Sequence, residues 1–332
     1  MQISISNSIK GALPSSGGTP PIGTPFIFTV KTDNAGTSAS DQFTIPTSTS
    51  GITQAFLYDI ETSDGQTITG VTGNHTITFP TAGTYEVSIS GSFPYMFFVN
   101  SGDRLKMLDI SNFGIYALGS TSQIAAFRGC SNMTITATDS GNFGSVTSFS
   151  GAWQNCSSLT SFPLIDTSSG QVFNDAWTFC SSLTSFPLID TSSGTSFIGT
   201  WRFCISLTSF PLLDTSSGVI FEDAWNACAN LTSFPLIDTS SGASFIGTWR
   251  FCSSLANYPA NAFDTNIATN YVNAFQLTNL TTQSIDDILV SLDTSGVSNG
   301  AFFQSGGQAP SATGLTARDN LVAKGWTITV TA

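Results

Sequence analysis

The sequence predicts a mixed fold: a small β-sandwich over residues 26–110, a solenoid of 24-residue rungs over 111–283, and a cap over 284–332. Three observations predict it. Trp153, Trp177, Trp201, Trp225 and Trp249 stand 24 residues apart, each followed three positions later by Cys156, Cys180, Cys204, Cys228 or Cys252. A fixed period of that length marks repeats that pack only on their neighbours. Residues 26–100 lack the period and instead carry the runs FIFTV, QFTI, AFLYDI, HTITF, YEVSI and YMFFV, punctuated by turn residues such as Asp33-Asn34, Asp64-Gly65 and Ala82-Gly83. Short strands at that spacing predict the sandwich. The repeat block also loosens at both ends: Phe127 and Cys130 keep the Trp–Cys spacing 26 residues upstream, and Tyr271 and Phe275 keep the Phe–Trp spacing with Thr278 in the cysteine's place. Degenerate end units are what an open stack needs to close its core.

The elements follow in chain order. Residues 1–25 read as an anchor and linker, because residues 11–25 hold four prolines and four glycines, a linker composition. Ile3, Ile5 and Ile9 partly follow strand alternation, so this end either frays or adds a strand to a partner's sheet. Each repeat reads F-x-x-x-W-x-x-C-x-x-L-T-S-F-P-L-I-D-T-S-S-G, and LTSFPLIDTSSG recurs unchanged at 159–170, 183–194 and 231–242. Phe149, Trp153 and Cys156 at i, i+4 and i+7 predict a short helix; Phe162 and Leu164 two apart predict a short strand; Asp-Thr-Ser-Ser-Gly predicts a corner. Strands stacked about 4.8 Å apart against helices wanting 8 to 10 Å would curve the coil into a horseshoe. Pro163, Pro187, Pro211, Pro235 and Pro259 each remove a ladder donor, so the strands should be very short. SIDDILVSL (284–292) predicts a helix and GWTITVT (325–331) a last strand.

The repeats also alternate. FNDAW at 173 and FEDAW at 221 bracket FIGTWRFC at 197, which returns at 245, so the genetic unit is a 48-residue pair. Asp175 and Glu222-Asp223 then lie on one kind of rung, Arg202 and Arg250 on the other. Ion pairing on a solvated face, worth about 0 to 1 kcal/mol per pair, is the first reading; a recognition stripe is the second.

Composition narrows the function. Of 332 residues only 9% are charged, and the net charge is -12. Nucleic-acid binding needs clustered Lys and Arg, and the nine basic residues are scattered. No run of 18 apolar residues exists, so no membrane span is expected. The start lacks the charged and continuous apolar regions of a secretory signal, which suggests either a mature form or a protein that leaves its cytoplasm with a particle. Six cysteines, Cys130 included, occupy one repeat position, and parallel thiols do not meet the geometry of a disulfide; we expect a stack of buried free thiols. Metal binding is not expected, since His75 is the lone histidine and no C-x-x-C occurs. Asp166, Asp190, Asp214 and Asp238, with Asp139, Asp264 and Asp293 as irregular continuations, form an acidic ladder. Carboxylates so stacked repel, and each can be compensated by its own D-T-S-S-G turn; cation binding and ligand recognition are the alternatives. No nucleophile–histidine pair, phosphate loop or metal cluster points to catalysis, so neither enzyme activity nor a cofactor is expected.

The stretch HTITFPTAGTYEVSISG (His75–Gly91) resembles the closing half of a polycystic-kidney-disease (PKD) type domain, with Phe79 for the aromatic and Gly83, Tyr85 and Val87 in place. Its upstream WDFGDG-like motif is weakened to YDIETSDG (Tyr58–Gly65). Followed by NSGDRLKMLDI (Asn100–Ile110), repeats with C-x-x-L-T-S, Ser284–Gly300 and a terminal KGWTITV, the whole resembles the BspA-like leucine-rich repeat proteins of bacterial surfaces and phage particles, over roughly residues 26–331. The resemblance implies a PKD/Ig-like sandwich and a leucine-rich-repeat-type solenoid in an exposed, non-catalytic protein. The expectation is a virion component such as a tail fibre, receptor-binding or exterior protein, located on the virion exterior and facing a host receptor or polysaccharide. It would be held by other virion proteins through its N-terminus and present in several copies or as a homo-oligomer. A bacterial cell-surface adhesin and a self-assembling subunit of a fibre or lattice are the alternatives.

Overall fold

A computed structural model describes residues 23–332; most of the anchor expected at 1–25 lies outside the described residues. The regular elements are β1 (Phe26–Lys31), β2 (Gln42–Ile45), β3 (Leu57–Thr62), β4 (Thr67–Val71), β5 (His75–Thr78), β6 (Thr84–Ser92), β7 (Met107–Asn112), β8 (Thr134–Ile135), β9 (Asn270–Gln276), α1 (Thr282–Thr294), β10 (Ala301–Ser305), α2 (Ala312–Ala323) and β11 (Thr327–Thr329). They form a six-stranded sheet in the order β4-β3-β6-β1-β7-β8, a three-stranded sheet β11-β10-β9 and a two-stranded sheet β2-β5. Alternation sets the buried faces: Phe26, Phe28 and Val30 of β1 are buried, as are Tyr58 and Ile60 of β3 and Phe43 and Ile45 of β2. The Phe28 and Phe43 rings lie 5.8 Å apart, where the six- and two-stranded sheets meet.

The expected sandwich plus leucine-rich-repeat-type solenoid is corrected by this arrangement. The molecule is sheet-rich, only two α-helices occur among the described residues, and none of the three sheets is built from the 24-residue units. Those units contribute neither the helix nor the strand expected of them, so the curvature argument built on a helical layer has nothing to act on.

Two left-handed residues per unit explain the missing helix. The first set is Gly151, Asp175, Gly199, Asp223 and Gly247, with φ of 54° to 62°; the second, four positions on, is Asn155, Phe179, Phe203, Ala227 and Phe251, with φ of 60° to 64°. A helix has no place for such residues. The segment instead closes overlapping turns, with the N–H groups of Ala152, Gln154 and Cys156 donating to the carbonyls of Phe149, Gly151 and Trp153 at 3.0, 3.2 and 3.1 Å. The intervening N–H groups are thereby turned toward the next unit. Those of Phe149, Gly151, Trp153 and Asn155 donate to the carbonyls of Val172, Asn174, Ala176 and Thr178, each at 2.8 Å. Successive units thus form tiers of turns. Single parallel bridges run alongside, from Ser122 through Ser148, Val172, Ser196, Ile220 and Ser244 to Asn270.

The expected strand around Phe162–Leu164 fails for the reason that made it short. Proline supplies no N–H, and the side of the units with LTSFPL carries one isolated bridge, Ser233 with Asn257. YMFFV is not a strand either. Val99 and Asn100 are left-handed, and Phe98 and Asn100 donate to the carbonyls of Ala126 and Arg128 at 3.0 and 2.9 Å, as a tier does. At the other end Phe245 and Trp249 donate to Asn270 and Ala274 of β9 at 3.0 and 2.9 Å, and β10 and β11 continue in parallel. Helix α1 spans the expected 284–292, with Thr281 accepting from the Ser284 N–H at its start. Its Ser284 and Ser291 hydroxyls accept the N–H groups of Tyr258 and Phe263 at 3.0 and 2.7 Å, tying the helix to the last tiers. Helix α2 escaped the sequence reading because it buries mainly Gly314, Ala317 and Leu321, a stripe too small to show as periodicity. No helix among the described residues is long and apolar enough to cross a membrane.

Candidate functional site

The tryptophans are central to the packing. Trp153, Trp177, Trp201, Trp225 and Trp249 are fully buried, and successive rings lie 5.5, 5.9, 5.2 and 5.8 Å apart, within 9° of parallel. Phe127 stands before them and Phe275 after them, at 6.5 and 4.8 Å. A second column, Phe162, Phe186, Phe210, Phe234 and Tyr258, meets the indoles edge-on; Phe162 sits between Trp153 and Trp177 at 4.7 and 5.2 Å. Edge-to-face contact suits the ring quadrupole. The Nε1 atoms of these five indoles make no hydrogen bond among the described residues, so the rings are held by packing alone.

Cys130, Cys156, Cys180, Cys204, Cys228 and Cys252 are buried free thiols. From Cys156 onward each Sγ donates to a carbonyl one tier back: Phe127, Trp153, Trp177, Trp201 and Trp225 at 3.1 to 3.3 Å. Burial disfavours the thiolate and pushes Cys180 and Cys252 up to about 12, the reverse of a reactive cysteine.

The acidic ladder is held by its own turns. Asp166, Asp190 and Asp214 each accept, on one carboxylate oxygen, the N–H of the serine two residues on at 3.0 to 3.1 Å and its hydroxyl at 2.6 to 2.7 Å. Asp238 accepts the Ser240 N–H at 2.9 Å. The buried hydroxyls of Thr167, Thr191 and Thr215 donate to the carbonyls of Asp190, Asp214 and Asp238, each at 2.6 Å. The irregular continuations are engaged elsewhere: Asp139 with the N–H groups of Phe113 and Gly114, Asp264 with the Ser291 hydroxyl, Asp293 with Lys324 at 2.6 Å. Among the described residues no three His, Cys, Asp or Glu side chains come together as a metal-binding group.

The 48-residue alternation sets an aspartate against a glycine one tier on. A Cβ on Gly199 would lie 2.7 Å from Asp175 Oδ1, and one on Gly247 would lie 2.4 Å from Asp223 Oδ1. Each aspartate carboxylate occupies the space beside the next left-handed site, so a side chain there would have to displace it.

Arg202 and Arg250 lie on the outer edge of the tiers. Arg202 pairs with Asp175 at 3.7 Å, both about one-third exposed, and lies over the Phe203 ring at 5.7 Å. Arg250 makes no ion pair among the described residues. Asp223 accepts from Asn226 at 2.6 Å instead, and the Arg250 guanidinium lies over Phe251 at 4.5 Å. The sequence reading singled out the arginines and missed Phe179, Phe203 and Phe251 beside them. The signal was available: the residue before each cysteine is Asn155, Phe179, Phe203, Ala227 or Phe251, a variable position inside a near-invariant unit.

Outer positions otherwise form rows: Thr160, Thr184, Thr208 and Thr232, with Ser161, Ser185, Ser209 and Ser233 beside them, are all exposed, as are Leu188, Leu212 and Leu236. A shallow depression of about 330 Å³ lies between α1 and α2 and is lined by Val290, Asp293, Thr313, Thr316, Ala317 and Asn320. The chain matches no protein-family model, no curated protein and no solved structure.

Proposed function

We propose that this is a non-catalytic, surface-exposed binding protein, a component of a phage virion exterior that contacts the host through many copies of one weak contact. The observation that carries the reading is the set of exposed rows, Thr160/184/208/232 and Ser161/185/209/233, repeated tier by tier on a buried, fully packed core. Such rows gain strength by multivalency rather than from one deep pocket. Two further facts support it. The buried thiols and turn-bound carboxylates are arranged for packing, not for proton transfer. The hydroxyl-rich, weakly charged composition suits an exterior that meets solvent and glycan. The resemblance covers bacterial-surface and phage-particle proteins alike; of the two, we take the virion, with attachment to it through the N-terminus. The test is presentation. The isolated chain should bind host cells feebly, and the same chain displayed in many copies on a particle should bind steeply better. Deleting Met1–Pro25 should abolish incorporation into the particle. Equal binding in both formats, or normal incorporation of the shortened chain, would remove the reading.

A further inference from the structure

Phe179, Phe203 and Phe251 occupy left-handed backbone sites with φ of 63°, 60° and 61°, and Phe179 and Phe251 expose about 40% of their surface. The left-handed backbone belongs to every tier, Asn155 and Ala227 included, but the fold does not require a phenyl ring on it, nor that the ring be exposed. A left-handed site costs conformational energy for a bulky side chain and suits Gly or Asn; the same position is Asn155 and Gly129 in other units. Water is a poor surrounding for a phenyl ring. Stacking of Phe179 on Phe203 at 4.4 Å recovers part of this and leaves the outer edge open. Backbone outliers bearing solvent-exposed aromatic rings point to a use.

The rings stand among groups of both signs: the Arg202–Asp175 pair with Arg202 over Phe203, and Arg250 over Phe251 with Asp223 beside Gly247 in the same pair of tiers. A mixed edge selects neither a polyanion nor a polycation. A saccharide meets it directly, its C–H face lying on a phenyl ring and its ring-plane hydroxyls exchanging hydrogen bonds with flanking guanidinium, carboxylate and amide groups. The Arg-Phe pair recurs after two tiers, at 202-203 and 250-251, with the intervening tryptophans 5.2 and 5.8 Å apart. A linear polymer offers the same face again at such an interval. We infer that this edge is a binding site for a neutral, linear polysaccharide. The inference goes beyond the attachment reading, which is carried by the Thr and Ser rows, and names a second surface.

The test uses the full chain in affinity gel electrophoresis through hydroxyethylcellulose, mannan or laminarin, with chondroitin sulfate as the polyanion. The variant Phe179→Asn/Phe203→Asn/Phe251→Asn should melt no lower than the parent, since Asn suits the left-handed site. It should lose about tenfold or more in apparent affinity. Arg250→Gln, which leaves the backbone untouched, should weaken binding in the same direction. Leu212→Ser/Leu236→Ser, on another row, should not. Retardation of the parent by none of the neutral polymers, retardation by chondroitin sulfate alone, or undiminished binding by the Asn variant would overturn the inference. The two readings separate on particles. Particles carrying the Asn variant that still attach to host cells leave attachment standing and remove this edge; parent particles that fail to attach remove attachment, while the gel result stands alone.

Discussion

At Trp201 the indole is enclosed on every side: Trp177 and Trp225 stack at 5.9 and 5.2 Å, and Phe186 and Phe210 meet it edge-on at 5.3 and 4.8 Å. Truncation to alanine removes all these contacts and leaves a cavity that rigid neighbours cannot fill. Trp201→Ala should therefore cost about 3 to 5 kcal/mol, read by denaturant unfolding; a loss below about 0.5 kcal/mol would mean that the ring is not packed as described. The cysteines are equally enclosed. With the thiol of Cys180 pushed up to about 12, a thiol reagent at pH 8 should label almost nothing in the folded chain, yet all six cysteines should react in denaturant without reductant. Peptides linked through Cys180 and Cys204 would contradict the free-thiol geometry.

Elements here are fixed by backbone sign and by steric fit between tiers. Because Asp175 fills the space above Gly199, Gly199→Ala should destabilise through both the contact and the left-handed φ, by about 1 to 3 kcal/mol. Adding Asp175→Gly should recover the steric share in a double-mutant cycle, and additive losses would show that the two sites do not touch. In the sheet region a different device holds the loop after β1. Asp103, fully buried, accepts the N–H groups of Thr37, Ser38 and Thr44 at 2.9, 3.0 and 2.7 Å, while Lys106 donates to the carbonyls of Ser38, Ala39 and Gln42. Burial alone would raise the Asp103 carboxyl, but the Ser38 hydroxyl, these N–H groups and the Lys106 charge outweigh it and hold it below the ordinary range. A depressed folded value means that its stabilisation is fully present above the unfolded value of about 3.9 and is lost as pH falls through the folded one. The parent should therefore lose stability on acidification below about pH 4, and Asp103→Asn should flatten that limb while lowering stability at pH 7. An unchanged acid limb would remove Asp103 as its source.

Across the whole molecule the tiers are near-copies, so chain length should be adjustable in the right quantum. LTSFPLIDTSSG begins identically at 183 and 231, and deleting residues 183–230 sets the Asp175 tier against the Gly247 tier, restoring an Asp-over-Gly contact. Deleting only 183–206 sets Asp175 against Asp223, where a Cβ has no room. The 48-residue deletion should fold and melt cooperatively a few degrees below the parent, and the 24-residue deletion should melt markedly lower. Equal melting temperatures would mean that the alternation is historical rather than steric.

Much of this was legible in the sequence, because period, burial and turn chemistry are local properties. The 24-residue spacing of Trp153 to Trp249, the common position of the cysteines and the Asp-to-Ser contact within each DTSSG turn can all be read without knowing where the chain goes next. The backbone path between them could not be. Phe149, Trp153 and Cys156 at i, i+4 and i+7 are as compatible with three overlapping turns as with a helix, since both place those side chains inward. What decided between them was the left-handed pair in each unit, and its hydrogen bonds go to residues about 23 positions away. Likewise β4 carries no buried residue and was invisible to hydropathy, and α2 shows only a small-residue stripe. By itself the sequence determined the repeat, its alternation and the residues that fill its core. Only the tertiary structure decided that the units are turns rather than helix and strand, that Asp175 faces Gly199 one tier on, and that Phe179 stacks on Phe203 with Phe251 two tiers further along the same edge; each depends on contacts between tiers, where alternative backbones of one period part company.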